Sequence, residues 1–341
     1  RRFARLKGAS PDVSPEEKGT ALATDFGCGA AVGLGFSVLL LSALAVLRRK
    51  KTESLFQSIR RLTGSQNPLN PILWVWTGAF FVAGLLWGLW PSWHIFGTDA
   101  VGNDVLLSTV KSVRTGVVIG SLATACMLPP AIIFGIAAGY FKGRVDDVIQ
   151  YIYTTITSIP SVLLIAASVL MIQVFIDTNP SLYQTGLERA DLRLFSLSAI
   201  IGVTSWAGLA RLLRAETMKL SETDFITAAQ SFGVSPVRIM ARHIFPNVAH
   251  IVLIVAVLDF SGIVLYEAVL SYVGVGVDPA MASFGSMINS AASEMGRTPT
   301  VWWNLAASLL FMVALVLSAN LFASGVREVF DPRAKRGRRR A

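Results

Sequence analysis

Two carboxylates stand where charge is expensive. Asp259 and Glu267 lie inside an apolar run at 248–273. An ionisable side chain within such a run is rare unless it serves a function or is tightly bonded. Asp259, with Ser261 and Gly262, interrupts the run near its middle. Glu267 lies nearer one end, where a structural hydrogen bond is the competing reading. Other reactive chemistry is missing from the pattern. No G-x-x-x-x-G-K-[ST] phosphate loop and no H-E-x-x-H occurs, so the chain is not expected to bind ATP or a catalytic zinc itself. His94, His243 and His250 are scattered, and neither a metal nor a cofactor is expected. No nucleophile, base and metal constellation marks an enzyme. Cys28 and Cys126 both lie in apolar runs and read as buried free thiols rather than a disulfide.

The elements that must hold these carboxylates follow from composition. Of 341 residues, 53% are hydrophobic and only 15% charged, where a soluble domain carries about 25%. This deficit, with several apolar runs of about 20 residues, predicts an all-α, polytopic membrane bundle. Seven spans are predicted, at 27–47, 72–90, 115–141, 148–176, 194–213, 248–273 and 301–325. The fourth is overlong, so it either tilts or begins as an interfacial helix. Pro129, Pro130 and Pro160 each remove a backbone donor and predict kinks in the third and fourth. The domains read as a tail at 1–26, an accessory pair of spans at 27–90, a core at 91–325 with a polar loop at 215–247, and a basic tail at 326–341. No short cleavable apolar region precedes a small-residue site, so the first span is read as retained.

Basic residues choose the direction. Segments 48–71, 142–147 and 211–247 and the tail from 326 hold 20 Lys and Arg. The alternate segments hold five: Lys111, Arg114, Arg189, Arg193 and Arg297. The positive-inside rule places the first group, and the C-terminus, in the cytoplasm. It also accounts for the net charge of +9 without a nucleic-acid partner. Seven spans then leave residues 1–26 outside, although Arg1, Arg2, Arg5, Lys7 and Lys18 lie there.

Within the loop, "DFITAAQSFGVSPVRIMARHIFPN" at 224–247 is polar and carefully punctuated. Phe225, Ala228, Ala229 and Phe232 fall at i, i+3, i+4, i+7, one face of a helix. Asp224 suits the positive end of its dipole. Gly233 suits a left-handed stop. Ser235 offers an N-cap and Pro236 a first helical position. Val237, Met240, Ala241 and Ile244 repeat the helical spacing, and Phe245 before Pro246 predicts the end of that second helix. A pair this short cannot bury both faces alone. It is either a lid on its own bundle or a docking element for a cytoplasmic partner in the helix-in-groove mode.

The stretch "TAAQSFGVSPVRIMARHIFP" resembles the cytoplasmic EAA loop of bacterial ABC importer permeases. Ala228, Ala229, Gly233 and Pro246 fall on that pattern with matching spacing. "GTDAVGNDVL" (97–106), "GYFKGRVDDVIQYIYTTITSIPSVLL" (139–164) and "LYEAVLSYVGVG" (265–276) are similar to companions in the C-type permeases of dipeptide, oligopeptide and nickel importers. The likeness covers about 91–332. Thr227 stands where the family has Glu, Asn103 where Arg is common, and 27–90 holds one span more than is usual. The resemblance implies an importer permease fold with the loop as coupling helix, its Phe225, Thr227, Ala228, Ala229, Phe232, Gly233, Ser235, Arg238 and Pro246 meeting an ATPase. It implies a second homologous permease chain, two ATP-binding subunits that hold ATP-Mg, and an extracytoplasmic substrate-binding protein docking on 91–113, 177–193 and 274–300. Asp259 and Glu267 become candidates for the translocation path. Peptides are the expected cargo, with nickel or oligosaccharide as alternatives. A channel would leave the capped pair unexplained, and a secondary transporter should show inverted repeats, which are not evident.

Overall fold

The computed structural model describes residues 15–47, 57, 70–179, 185–278, 280–298 and 300–330. Most of the predicted basic loop at 48–71, the first fourteen residues and the tail beyond 330 lie outside the described residues. Among those described, six helices are long and apolar enough to cross a membrane, and Leu73–Leu89 is a shorter apolar helix. The chain divides into two compact units, Arg1–Leu106 and Leu107–Ala341.

In the first unit, α1 (Pro15–Leu47) and α2 (Asn70–Leu89) pair along a seam of small residues. A Cβ on Gly84 would lie 2.4 Å from the Gly33 backbone, and one on Gly88 2.5 Å from Gly29 Cα. Only glycine lets the two backbones come so close, which is how small residues join membrane helices. Ser37 donates to Gly33 O at 2.8 Å and to Thr77 O at 3.2 Å, stitching the same seam. Phe36, Trp74 and Trp87 point outward and are exposed, the apolar exterior that lipid accommodates. α1 starts well before the predicted residue 27, because a helix persists beyond the apolar stretch that hydropathy detects. Beyond α2, Asp99 organises a turn: its Oδ1 accepts from the N–H of Val101, Gly102 and Asn103, and its Oδ2 from Asn103 Nδ2.

The second unit is built on a close helix crossing. α3 (Val105–Phe141) runs unbroken through Pro129 and Pro130. A Cβ on its Gly135 would lie 2.7 Å from Ala210 O, and one on its Gly139 2.6 Å from Arg214 O, both carbonyls on α6 (Gly186–Ser221). α6 begins in a capping box: Thr185 Oγ1 accepts from Glu188 N, and Glu188 returns a bond to Thr185 N. 

The predicted fourth span at 148–176 is two helices, a correction. Ile159 is extended (φ −90°, ψ 132°), as a residue before proline prefers. Pro160 therefore separates α4 (Gly143–Ser158) from the apolar α5 (Ser161–Thr178). α4 is amphipathic, burying Asp146, Ile149 and Tyr153 and exposing Val148 and Tyr151, and only α5 of the two is long and apolar enough to span.

After α6 come α7 (Asp224–Ser231), α8 (Pro236–Ile239), a π-helical turn (Met240–Ile244), α9 (Phe245–Tyr272), α10 (Phe284–Met295) and α11 (Trp303–Phe330). Two apolar clusters fill the unit. One joins Met127, Trp206, Leu213, Ile226, Ile239 and Ile244 near α7. The other joins Ile119, Ile165, Ile201, Leu270 and Val277 toward the opposite end. α10 is a short helix where the spacing gave only a loop. It is capped by Ser283 and held by Thr115 Oγ1 donating to Ala282 O at 2.8 Å.

Candidate functional site

The polar loop folds as the spacing suggests at its first turn. Thr223 takes extended geometry after α6, and its carbonyl accepts from Ile226 N and Thr227 N, starting α7. α7 stops at Gly233 (φ +73°). Gly233 N bonds to Gln230 O and Val234 N to Ala229 O, the paired bonds of a Schellman stop. Pro236 then opens α8. Ser235 has the extended geometry of an N-cap, but its side chain makes no capping bond.

The predicted end at Phe245 does not occur. Phe245 is helical (φ −54°, ψ −46°), and its N–H bonds to Met240 O, five residues back. A π turn runs its bonds one residue longer, and the donor that Pro246 lacks falls at that irregularity, so the helix continues into α9.

The four residues assigned to one face of α7 divide. Phe225, Ala228 and Phe232 are exposed, Phe232 by 86%. Ala229 is half-buried against the core, beside the fully buried Ile226. A short helix needs an anchor, and Ile226 with Ala229 supplies it, leaving Phe225, Ala228 and Phe232 at i, i+3, i+7 to face out. Thr227, Ser235, Arg238 and Pro246 are exposed as well. Thr227 Oγ1 bonds back to Thr223 O at 3.2 Å, so it is occupied within its own helix.

Polar contacts tie together the helices around α7. Arg214 on α6 grips Asp146 on α4 with both prongs: Nε to Oδ1 at 2.5 Å and Nη2 to Oδ2 at 2.6 Å. The hydrogen bond from Arg214 holds the Asp146 carboxyl below the usual carboxylate range, outweighing the opposite pull of burial. Arg211 stacks over Tyr153 at 5.0 Å. Gln230 Nε2 on α7 reaches Tyr140 Oη at 3.3 Å, and Lys142 pairs with Glu222 at 3.0 Å. The last pair is exposed and contributes little. The sequence reading missed Asp146 and Arg214. Its signal was present: Asp146 occupies the apolar stripe of α4, three residues before Ile149 and seven before Tyr153, a position that requires a buried partner.

The two intramembrane carboxylates differ in setting. Asp259 is half-buried near the middle of α9. Glu267 is fully buried, and its Oε1 accepts from Ser271 Oγ at 2.6 Å. Among the described residues, no group of three or more His, Cys, Asp or Glu is placed to hold a metal ion.

A multi-pass helical membrane protein with a short capped helix between two of its spans is the class this geometry defines. Residues 131–336 match the family described as binding-protein-dependent transport system inner membrane component. The chain belongs to that family. It is 29% identical over 241 residues to the dipeptide transport system permease protein DppC of Lactococcus lactis subsp. cremoris, covering 71% of this chain and 64% of that protein. The chain thus matches somewhat less than two thirds of that relative's length. It is 28% identical to the oligopeptide transport system permease protein OppC of Haemophilus influenzae, covering 71% of each. A solved chain of the inward-facing MetNI methionine ABC transporter aligns with TM-score 0.47 and 18% identity, over 66% of this chain and 98% of that one. As a member of this family the protein is a multi-pass component of the inner membrane.

Proposed function

We propose that this chain is one membrane-spanning half of an ATP-driven peptide importer, with α7 as the element that couples it to ATP hydrolysis. The observation that carries the reading is the outward triad Phe225, Ala228 and Phe232 on a helix fixed from behind by Ile226 and ended at Gly233. An exposed apolar stripe on a short, rigid helix fits a groove on a partner protein. The partner is a separate ATP-binding subunit, which holds ATP-Mg, because this chain has no phosphate-binding loop. A second permease chain with its own ATPase completes the assembly, and an extracytoplasmic binding protein delivers the cargo. Peptides are the cargo because the named relatives are dipeptide and oligopeptide permeases. The 20-to-5 basic asymmetry supports a cytoplasmic α7 and C-terminus. Asp259 remains the better candidate for the polar lining of the path, since it keeps partial exposure at mid-span.

The test separates the two faces of α7. Ala228→Trp adds bulk on the outward face without touching the core, and Phe232→Ala removes an exposed ring. Both variants should insert normally and lose co-purifying ATP-binding subunits, or retain them while ATP hydrolysis no longer drives peptide uptake into vesicles. Native uptake by Ala228→Trp with both ATPases bound would show that α7 is not the coupling element.

A further inference from the structure

The end of α9 carries a chain of contacts that the coupling site does not use. Ser271 Oγ donates to Glu267 Oε1 at 2.6 Å and accepts from Val277 N at 3.2 Å. One hydroxyl thus ties the carboxyl inside α9 to the segment that follows it. That segment turns back tightly. Gly274 takes φ +88°, and Val275 N bonds to Leu270 O at 2.9 Å. A Cβ on Gly276 would lie 2.0 Å from Ser271 Oγ, so only glycine fits against the hydroxyl. From α6, Arg193 Nε donates to Gly276 O at 3.0 Å. Val277 is buried in the same apolar cluster as Leu270 and Ile201. Glu267 has no exposed surface.

We propose that Glu267 is a positioning residue that acts through Ser271 to pin Gly274–Val277 onto the end of α9, and that it does not line a path. A path-lining carboxylate needs contact with the passing cargo or water, and this one is enclosed. Its bonded oxygen is an acceptor that a glutamine also has. Charge is therefore dispensable at 267, while the acceptor is not.

The experiment uses the full chain with Cys28 and Cys126 replaced by Ser and a single reporter, Val277→Cys. The substitution keeps the backbone N–H that bonds Ser271. Labelling of this buried thiol by a membrane-impermeant maleimide reports opening of the segment. Loss of one net hydrogen bond should raise the labelling rate about three- to tenfold. Glu267→Ala and Ser271→Ala should each show that rise, and Glu267→Gln should stay close to the parent. In a second arm, Glu267→Gln should support di- and tripeptide uptake by the complete transporter while Glu267→Ala loses it. This arm rests on the peptide-import reading, whereas the labelling arm does not. Absent uptake in the parent chain therefore counts against that reading and not against the pin. Parent-like labelling of Glu267→Ala and Ser271→Ala would overturn the proposal. So would a Glu267→Gln protein that labels like the parent yet loses uptake, since charge would then be the function. If Glu267→Ala fails to accumulate, Ser271→Ala decides, because it deletes only the relaying hydroxyl.

Discussion

Asp146→Asn isolates the ion pair that ties α4 to α6. In the native protein, two guanidinium N–H groups of Arg214 meet the two carboxylate oxygens of Asp146. Asparagine keeps one acceptor but turns an amide N–H toward the second donor, so one bond is lost and the other no longer joins opposite charges. Hydrogen bonds to charged groups are worth about 1.5–3 kcal/mol each. Stripping one partner from a fully buried pair costs about 3–5 kcal/mol. Asp146 is buried, but the Arg214 side chain keeps 23% exposure, so water can partly solvate the orphaned cation. The expected loss is therefore about 2–3 kcal/mol. Reversible SDS denaturation followed by tryptophan fluorescence would measure it. The pH dependence fixes the mechanism. The folded Asp146 carboxyl titrates below its ordinary range because of Arg214. Its contribution is fully present above the unfolded value of about 4 and is lost as pH falls through the lower folded value. The gap between native and Asp146→Asn proteins should stay constant from about pH 8 to pH 5 and close in more acidic solution. A gap under about 0.5 kcal/mol at neutral pH, or one that widens on acidification, would refute the reasoning.

The helix crossing and the orientation give two further predictions. A methyl group at Gly139 would strike Arg214 O at 2.6 Å, whereas nothing lies within 4 Å of one at Gly208. Gly139→Ala should therefore destabilise by about 1–3 kcal/mol, while Gly208→Ala should be neutral or stabilise by about 0.5–1 kcal/mol, read by the same denaturation assay; equal effects would contradict the close crossing. Single cysteines at the exposed Ser231 and Ala292, in a chain without Cys28 and Cys126, should label from opposite sides of the membrane, with Ser231 reached from the cytoplasm. Labelling of both from one side would break the topology.

What the sequence determined by itself was whatever depends on neighbours along the chain. Apolar run length separates lipid from water, so most of the spans were legible before any contact was known, while the division of 148–176 at Pro160 was not. A left-handed stop needs a residue without a Cβ, so Gly233 announced the turn that ends α7. The density of Lys and Arg carried the orientation as an expectation. What only the tertiary structure decided were outcomes set by another helix. Ile226 rather than Phe225 became the buried anchor of α7, because the packed surface of the core, not the helical period alone, chooses which face turns inward. Asp146 and Arg214 are 68 residues apart and meet only where α4 packs against α6. The stop expected at Phe245 gave way to a π turn that kept α9 continuous. The sequence left Glu267 between a path residue and a structural hydrogen bond, and packing buries it against the Ser271 hydroxyl. A one-dimensional pattern reports how much charge a segment carries, and only packing determines whether that charge meets water, a partner or a closed interior.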